Sequence, residues 1–203
     1  MDYEEKIKFL ASLLPLDEIR GKIIGLLTIP AQKIAFVLKA PAGQLARLVD
    51  AQSKKLENSN TIVLSPGPGS PKDYPITSKI YNKYKGKKKL IGICLGYQQI
   101  LFNEKGKIVQ QKNIYHGYQS KVRVTNQSKL FNNNKIFKVG RYHSLKLFEP
   151  FVSNDIKISM RCVKTNIPMG IEDLKNNIYG FQFHPESFLT ENGNFIIKKI
   201  LSA

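Results

Sequence analysis

The chain is short of cysteine, of acid and of long apolar runs, and each shortage removes a class of protein. Only Cys94 and Cys162 occur in 203 residues, too few for a disulfide framework, so the chain reads as cytoplasmic. No apolar run reaches membrane-spanning length and the opening Met1-Asp2-Tyr3-Glu4-Glu5 is acidic, unlike a signal peptide, so no membrane partner is expected. Asp and Glu number 15 against 32 Lys and Arg, a net charge of +17. Nine of the basic and seven of the acidic residues fall in 1–57, which leaves 23 basic and eight acidic residues, a net +15, on 58–203. A basic surface can bind phosphates. Here, however, Lys is interleaved with Asn and Ile, as in Lys83 to Lys89 and Asn132 to Lys138, and no RNA-binding motif accompanies it. A spread of solvated charge is the simpler reading, and nucleic acid is not expected as a partner.

Against these shortages stand three motifs. The apolar run Leu90, Ile91, Ile93 stops at Cys94, flanked two residues either side by Gly92 and Gly96, before the helix-compatible Tyr97 to Phe102. Small neighbours let a strand turn sharply into a helix with the nucleophile at the strand tip. At a helix N-terminus the dipole and free N–H groups are expected to lower the thiol pKa. Far downstream, Ile178, Phe181 and Phe183 alternate as a strand that Pro185 ends, with His184 and Glu186 two apart and on one side of an extended chain. A carboxylate so placed orients an imidazole that acts as base to a nucleophile. Third, Ile62-Val63-Leu64 runs into Ser65-Pro66-Gly67-Pro68-Gly69, a loop unable to continue a ladder. Pro68 lacks an N–H, so Gly67 or Gly69, paired with the N–H of Leu95, is the candidate oxyanion hole. Taken singly, each motif has a plainer alternative: a buried structural Cys, a structural His, a surface turn. Together they point to acyl transfer.

With His116-Gly117, Arg141-Tyr142-His143-Ser144-Leu145 and Leu189-Thr190-Glu191-Asn192-Gly193 added, residues 59 to 203 resemble the class I glutamine amidotransferases. The resemblance is to the small glutaminase subunit of anthranilate synthase or aminodeoxychorismate synthase. It implies an α/β, flavodoxin-like and mostly parallel sheet. It also implies that Cys94 attacks the carboxamide of glutamine, that His184 moves protons and that Glu186 orients it. Gly67, Pro68, Gly69, Leu95, Gln98, Ser144 and Leu145 would hold the glutamine. The ammonia would pass to a chorismate-binding synthase subunit. No cofactor and no metal is implied.

Residues 1–57 read differently. Ile7, Leu10, Leu13 and Leu14, then Ile19 to Leu27, then Ile34, Val37 and Leu38 recur at helical spacing, and Gln52 to Asn60 reads as a polar linker. The organisation expected is a helical segment, 1–57, ahead of an amidotransferase domain, 58–203. Residues 5 to 55 are similar to the C-terminal tail of the bacterial large-subunit ribosomal stalk-base protein, which implies stalk protein or another helix partner for this segment. The opening strand of the amidotransferase family, with its Asp-Asn-Tyr-Asp-Ser-Phe type motif, has no counterpart, so the domain is expected to be truncated at its N-terminus. Two function classes stay open: a glutaminase subunit, or a fused product of weak or no activity that acts through its N-terminal helices.

Overall fold

Proline and glycine punctuate the short apolar runs of this chain and so set its elements. The computed structural model describes residues 56–203, and the compact unit among them is Ser59–Ala203. The helices expected in 1–57, and the stalk-tail resemblance over 5 to 55, lie outside the described residues.

Strand β1, Thr61–Leu64, ends at Ser65-Pro66, where proline withholds the donor a ladder needs. A 3-10 turn, Pro71–Asp73, and helix α1, Pro75–Tyr84, each begin with proline, at a position where a helix needs no N–H. β2, Lys89–Ile93, leads into α2, Leu95–Asn103. β3 (Ile108–Gln110), β4 (Tyr118–Val124), β5 (Ile136–Arg141), β6 (Leu145–Leu147), β7 (Lys157–Cys162), β8 (Pro168–Asp173), β9 (Ile178–Phe181) and α3 (Gly193–Leu201) follow. β6, at three residues, is too short to register as alternation in the sequence, and it pairs antiparallel with β3 in a separate two-stranded sheet.

Among the described residues the main sheet has seven strands, in the order β1-β2-β9-β8-β7-β4-β5. β1 with β2 and β2 with β9 are parallel, and the other four pairings are antiparallel. The class is α/β, as expected, but the sheet is mixed, and "mostly parallel" describes only the three strands that carry the motifs. The reason lies in the connections. Between β1 and β2 the chain is long enough to cross over through α1, whereas the turns after β7 and β8 are too short for anything but a hairpin. The sheet also curls, since Gly140 at the end of β5 bridges back to His184 just beyond β9.

The register Leu90↔Ile178, Ile91↔Tyr179, Gly92↔Gly180, Ile93↔Phe181 sorts the central strands into two faces. Ile91, Tyr179 and Phe181 join Val122, Val139, Met160, Met169 and Phe183, with Ile196 and Ile200 of α3, in one core. Each such side chain removed from water contributes about 1.5–3 kcal/mol. The opposite face receives α2, whose Tyr97 and Ile100 are fully buried. Lys89 spends its ammonium on the last turn of α3, donating to the carbonyls of Ile200 (3.0 Å), Leu201 (3.0 Å) and Ala203 (2.6 Å), where the helix dipole favours a cation. Among the described residues β1 pairs with β2 alone, and Val63 is 53% exposed, which makes β1 an edge strand there.

Candidate active site

The tip of β2 is built by contact distances that leave no room for side chains. A Cβ on Gly92 would lie 2.6 Å from the carbonyl of Gly96, and one on Gly96 only 2.0 Å from the carbonyl oxygen of Leu64. The glycines flanking Cys94 are therefore required because α2 starts pressed against β1 and β2. Cys94 caps α2 with φ 53° and ψ −101°, a backbone conformation that costs a non-glycine residue about 1–3 kcal/mol. Its N–H donates to Phe181 O of β9 (2.7 Å), and its carbonyl accepts from Gln98 N (3.1 Å), so the turn is pinned on both sides.

The sulfur is buried, and burial pushes its pKa up to about 11. The N–H of Leu95 and the amide of Gln182 pull it down, while the Glu186 carboxylate adds to the rise. The thiol pKa expected to be lowered by the helix N-terminus is thus raised, because loss of water outweighs the donors at the start of a nine-residue helix.

His184 follows β9, its N–H donating to Gly140 O at 3.0 Å. The expected pairing with Glu186 is present, since Nδ1 lies 2.7 Å from Glu186 Oε1. A carboxylate only accepts here, so in the neutral imidazole the proton sits on Nδ1 and Nε2 carries the lone pair. That Nε2 is buried with no hydrogen-bond partner among the described residues. The imidazole packs edge-on against Tyr142 with ring centroids 5.0 Å apart, and the Tyr142 hydroxyl lies 3.0 Å from Ser187 Oγ. Because Ile93 is opposite Phe181, Cys94 and Gln182 follow on adjacent strands, and His184 sits at the same end of the sheet.

The proline-glycine loop lies over the first turn of α2. A Cβ on Gly67 would meet the Leu95 side chain at 2.9 Å, and Pro68 O accepts from the Tyr74 hydroxyl at 2.9 Å. Beyond Gly69, Ser70 N donates to Asp73 Oδ2 at 2.7 Å, which holds the loop's exit. Gln98 is buried, its Nε2 donating to Gln182 Oε1 (3.1 Å) and toward Leu145 O (3.5 Å). Ser144 is half-buried next to Leu145, with its carbonyl accepting from Gln111 N at 2.8 Å. The structure therefore gathers Gly67, Leu95, Gln98 and Leu145 around the start of α2, with Pro68 and Gly69 next along the same loop and His184 and Glu186 beyond the end of the neighbouring strand.

Three residues in this wall were given no individual role by the sequence. Arg141 is fully buried, and among the described residues no carboxylate pairs with it. Its Nε donates to His143 Nε2 (3.1 Å), Nη2 points at Gln111 Oε1 (3.5 Å), Nη1 at Cys162 Sγ (3.7 Å), and the guanidinium lies 3.6 Å from the centroid of the Tyr115 ring. His143 is pushed down to about 3 by burial first and then by Arg141, so it is neutral. Gln182, between Phe181 and Phe183, is also fully buried. Strand alternation alone assigns such a polar residue to a solvated face, and only the covering of both faces reveals it as interior. Cys162 is a buried core residue, as expected. Among the described residues, no group of three or more His, Cys, Asp or Glu could hold a metal ion.

The sequence model of the class-I glutamine amidotransferases matches residues 42–203. The chain belongs to this family. That match begins within the segment assigned to the N-terminal helices. The amidotransferase is 40% identical over 147 residues to the bifunctional protein TrpGD of Thermotoga maritima, covering 72% of this chain and 25% of that one, so it spans a quarter of that relative. It is 34% identical over 154 residues to anthranilate synthase component 2 of Lactococcus lactis, covering 75% and 78% of the two chains. With aminodeoxychorismate synthase component 2 of Klebsiella aerogenes it shares 33% identity over 141 residues, 70% and 75% of the two. Among solved structures, PurLQS from Thermotoga maritima matches with a TM-score of 0.54 at 20% identity, over 71% of this chain and 80% of that one, a likeness of fold. No helix among the described residues is long and apolar enough to cross a membrane.

Proposed function

We propose that this chain is a glutaminase subunit that hydrolyses glutamine at Cys94 and supplies the ammonia to a chorismate-using synthase. The observation that carries the reading is the pairing, at one end of the sheet, of a nucleophile at the tip of β2 with an imidazole whose Nδ1 is held by Glu186 at 2.7 Å and whose buried Nε2 has no partner among the described residues. Cys94 Sγ attacks the carboxamide carbon as its proton passes to His184 Nε2. The C–N bond breaks as that proton is delivered to the leaving nitrogen, releasing ammonia and a glutamyl thioester. Water, deprotonated by His184, then cleaves the thioester to glutamate and the free thiol. The N–H of Leu95 and one from Gly67 or Gly69 receive the oxyanion. Gln98, Ser144, Leu145 and the Gly67-Pro68-Gly69 loop contact the glutamine.

The relatives named component 2 of anthranilate and of aminodeoxychorismate synthases support a partner subunit that binds chorismate. They name both branches, and one glutaminase that serves both fits the same site. The cytoplasm is the compartment this reading implies. The decisive measurement is glutamate release from glutamine by the purified chain, alone and with a component 1 synthase. Release is expected to rise with the synthase and to vanish in Cys94→Ala; equal release by Cys94→Ala removes the assignment.

A further inference from the structure

One side chain outside the Cys94, His184 and Glu186 set lies beside the sulfur. Gln182 is fully buried, and its Nε2 lies 3.9 Å from Cys94 Sγ. Which end of an amide faces a neighbour is assigned from what the other end meets. A guanidinium can only donate, so Arg141 Nε, 3.1 Å from His143 Nε2, makes that nitrogen the acceptor. The proton of the neutral imidazole therefore sits on Nδ1, which donates to the Leu145 carbonyl at 2.8 Å. A carbonyl can only accept, so the Gln98 atom 3.5 Å from Leu145 O is nitrogen, and that same nitrogen donates to Gln182 at 3.1 Å. The Gln182 atom it meets is the oxygen. The amide nitrogen of Gln182 is left facing the sulfur.

We propose that Gln182 is a further catalytic residue that donates an N–H to the Cys94 sulfur, and that Gln98 and the Leu145 carbonyl are positioning groups that keep its amide the right way round. The inference rests on Cys94 being the nucleophile. A neutral thiol is a weak acceptor, in keeping with the long 3.9 Å contact. A thiolate is a charged one, to which a hydrogen bond is roughly twice as strong. The contact thus favours the attacking form, in a site whose burial drives the sulfur the other way. Glu186 opposes it and holds the His184 imidazole. The Ser65 to Ser70 loop and the first turn of α2 add no charged side chain, and Arg141 lies behind His143.

The test is the rate at which iodoacetamide alkylates Cys94 in the full chain across roughly pH 6 to 10, read by peptide mass so that Cys162 is scored separately. Gln182→Met keeps the bulk and removes the donor. It is expected to slow Cys94 alkylation about ten-fold at neutral pH, an apparent pKa about one unit higher, in a chain that unfolds cooperatively. Gln98→Met frees the Gln182 amide to turn and is expected to slow it by about three-fold, or half a unit. Wild-type alkylation rates in folded Gln182→Met overturn the proposal; if that variant does not fold, unchanged rates in Gln98→Met do so. The two readings fail separately. Slowed alkylation in a chain that releases no glutamate keeps the donor and removes the function, whereas unchanged alkylation beside intact glutamate release does the reverse.

Discussion

The two halves of the main sheet are built for different work. In the parallel half β2 and β9 are buried on both faces, and their ends carry Cys94, Gln182 and His184. In the antiparallel half β4 and β5 alternate, as in the exposed Lys121, Arg123, Ile136 and Lys138 against the buried Val122, Val124, Phe137 and Val139. One face of those strands meets water and the other meets the core. Yet the end of β5 enters the site all the same, since Arg141 and Gly140 hold His143 and His184 from behind. The parallel half thus places the reacting groups by ending its strands together, and the antiparallel half fixes their orientation by hydrogen bonds.

The contrast can be broken most severely at the tip of β2. Cys94→Ala is expected to lower glutamate release by at least ~10⁴-fold while leaving the unfolding transition in place, because Ala keeps the Cβ that the turn already accommodates. Gly96→Ala should do the opposite to the fold. Its new methyl group falls 2.0 Å from Leu64 O, and the expected cost is about 3–5 kcal/mol in denaturant unfolding, enough to leave little folded chain. A Gly96→Ala variant of native stability would show that α2 does not start against β1.

In the antiparallel half the larger effect is on pH dependence. His143 falls from its ordinary value of 6.5 to about 3 in the fold, so the stability it contributes is present above pH 6.5 and is lost as pH falls toward 3. Unfolding free energy is expected to drop by up to about 1.4 kcal/mol per pH unit through that window. His143→Gln, measured by urea unfolding over the same range, is expected to remove that part of the slope. A slope unaltered by His143→Gln would mean that other groups carry it. The smallest effect is expected at Tyr142→Phe, which removes the 3.0 Å contact to Ser187 but keeps the ring against His184. Stability should fall by about 0.5–1.5 kcal/mol with glutamate release within about three-fold, that is about 0.6 kcal/mol in transition-state binding. A large loss of activity would give the hydroxyl a part in the chemistry.

Much of the site was legible before any coordinates. The Gly-x-Cys-x-Gly spacing announces an elbow because only glycine tolerates the approach of α2, and His184 two residues before Glu186 announces an oriented imidazole because an extended chain puts alternate residues on one side. Alternation marks Gln119 to Thr125, Lys135 to Val139 and Ile156 to Val163 as strands, and the helical spacing of Phe195, Ile196 and Ile200 marks the closing helix. The proportion of parallel strands was not, because pairing direction depends on which distant strands become neighbours.

By itself the sequence determined where the elements run, which residues carry reactive groups and which family the chain resembles, since these follow from local spacing and residue chemistry. Tertiary structure alone decided the mixed and curled sheet, the upward shift of the Cys94 thiol, and the interior place of Arg141, Gln182 and His143. Burial is a property of what packs on top, and neither the loss of water around a sulfur nor the contact of Gln98 with Gln182 and of Gln182 with Cys94 is set until segments far apart along the backbone close over one another.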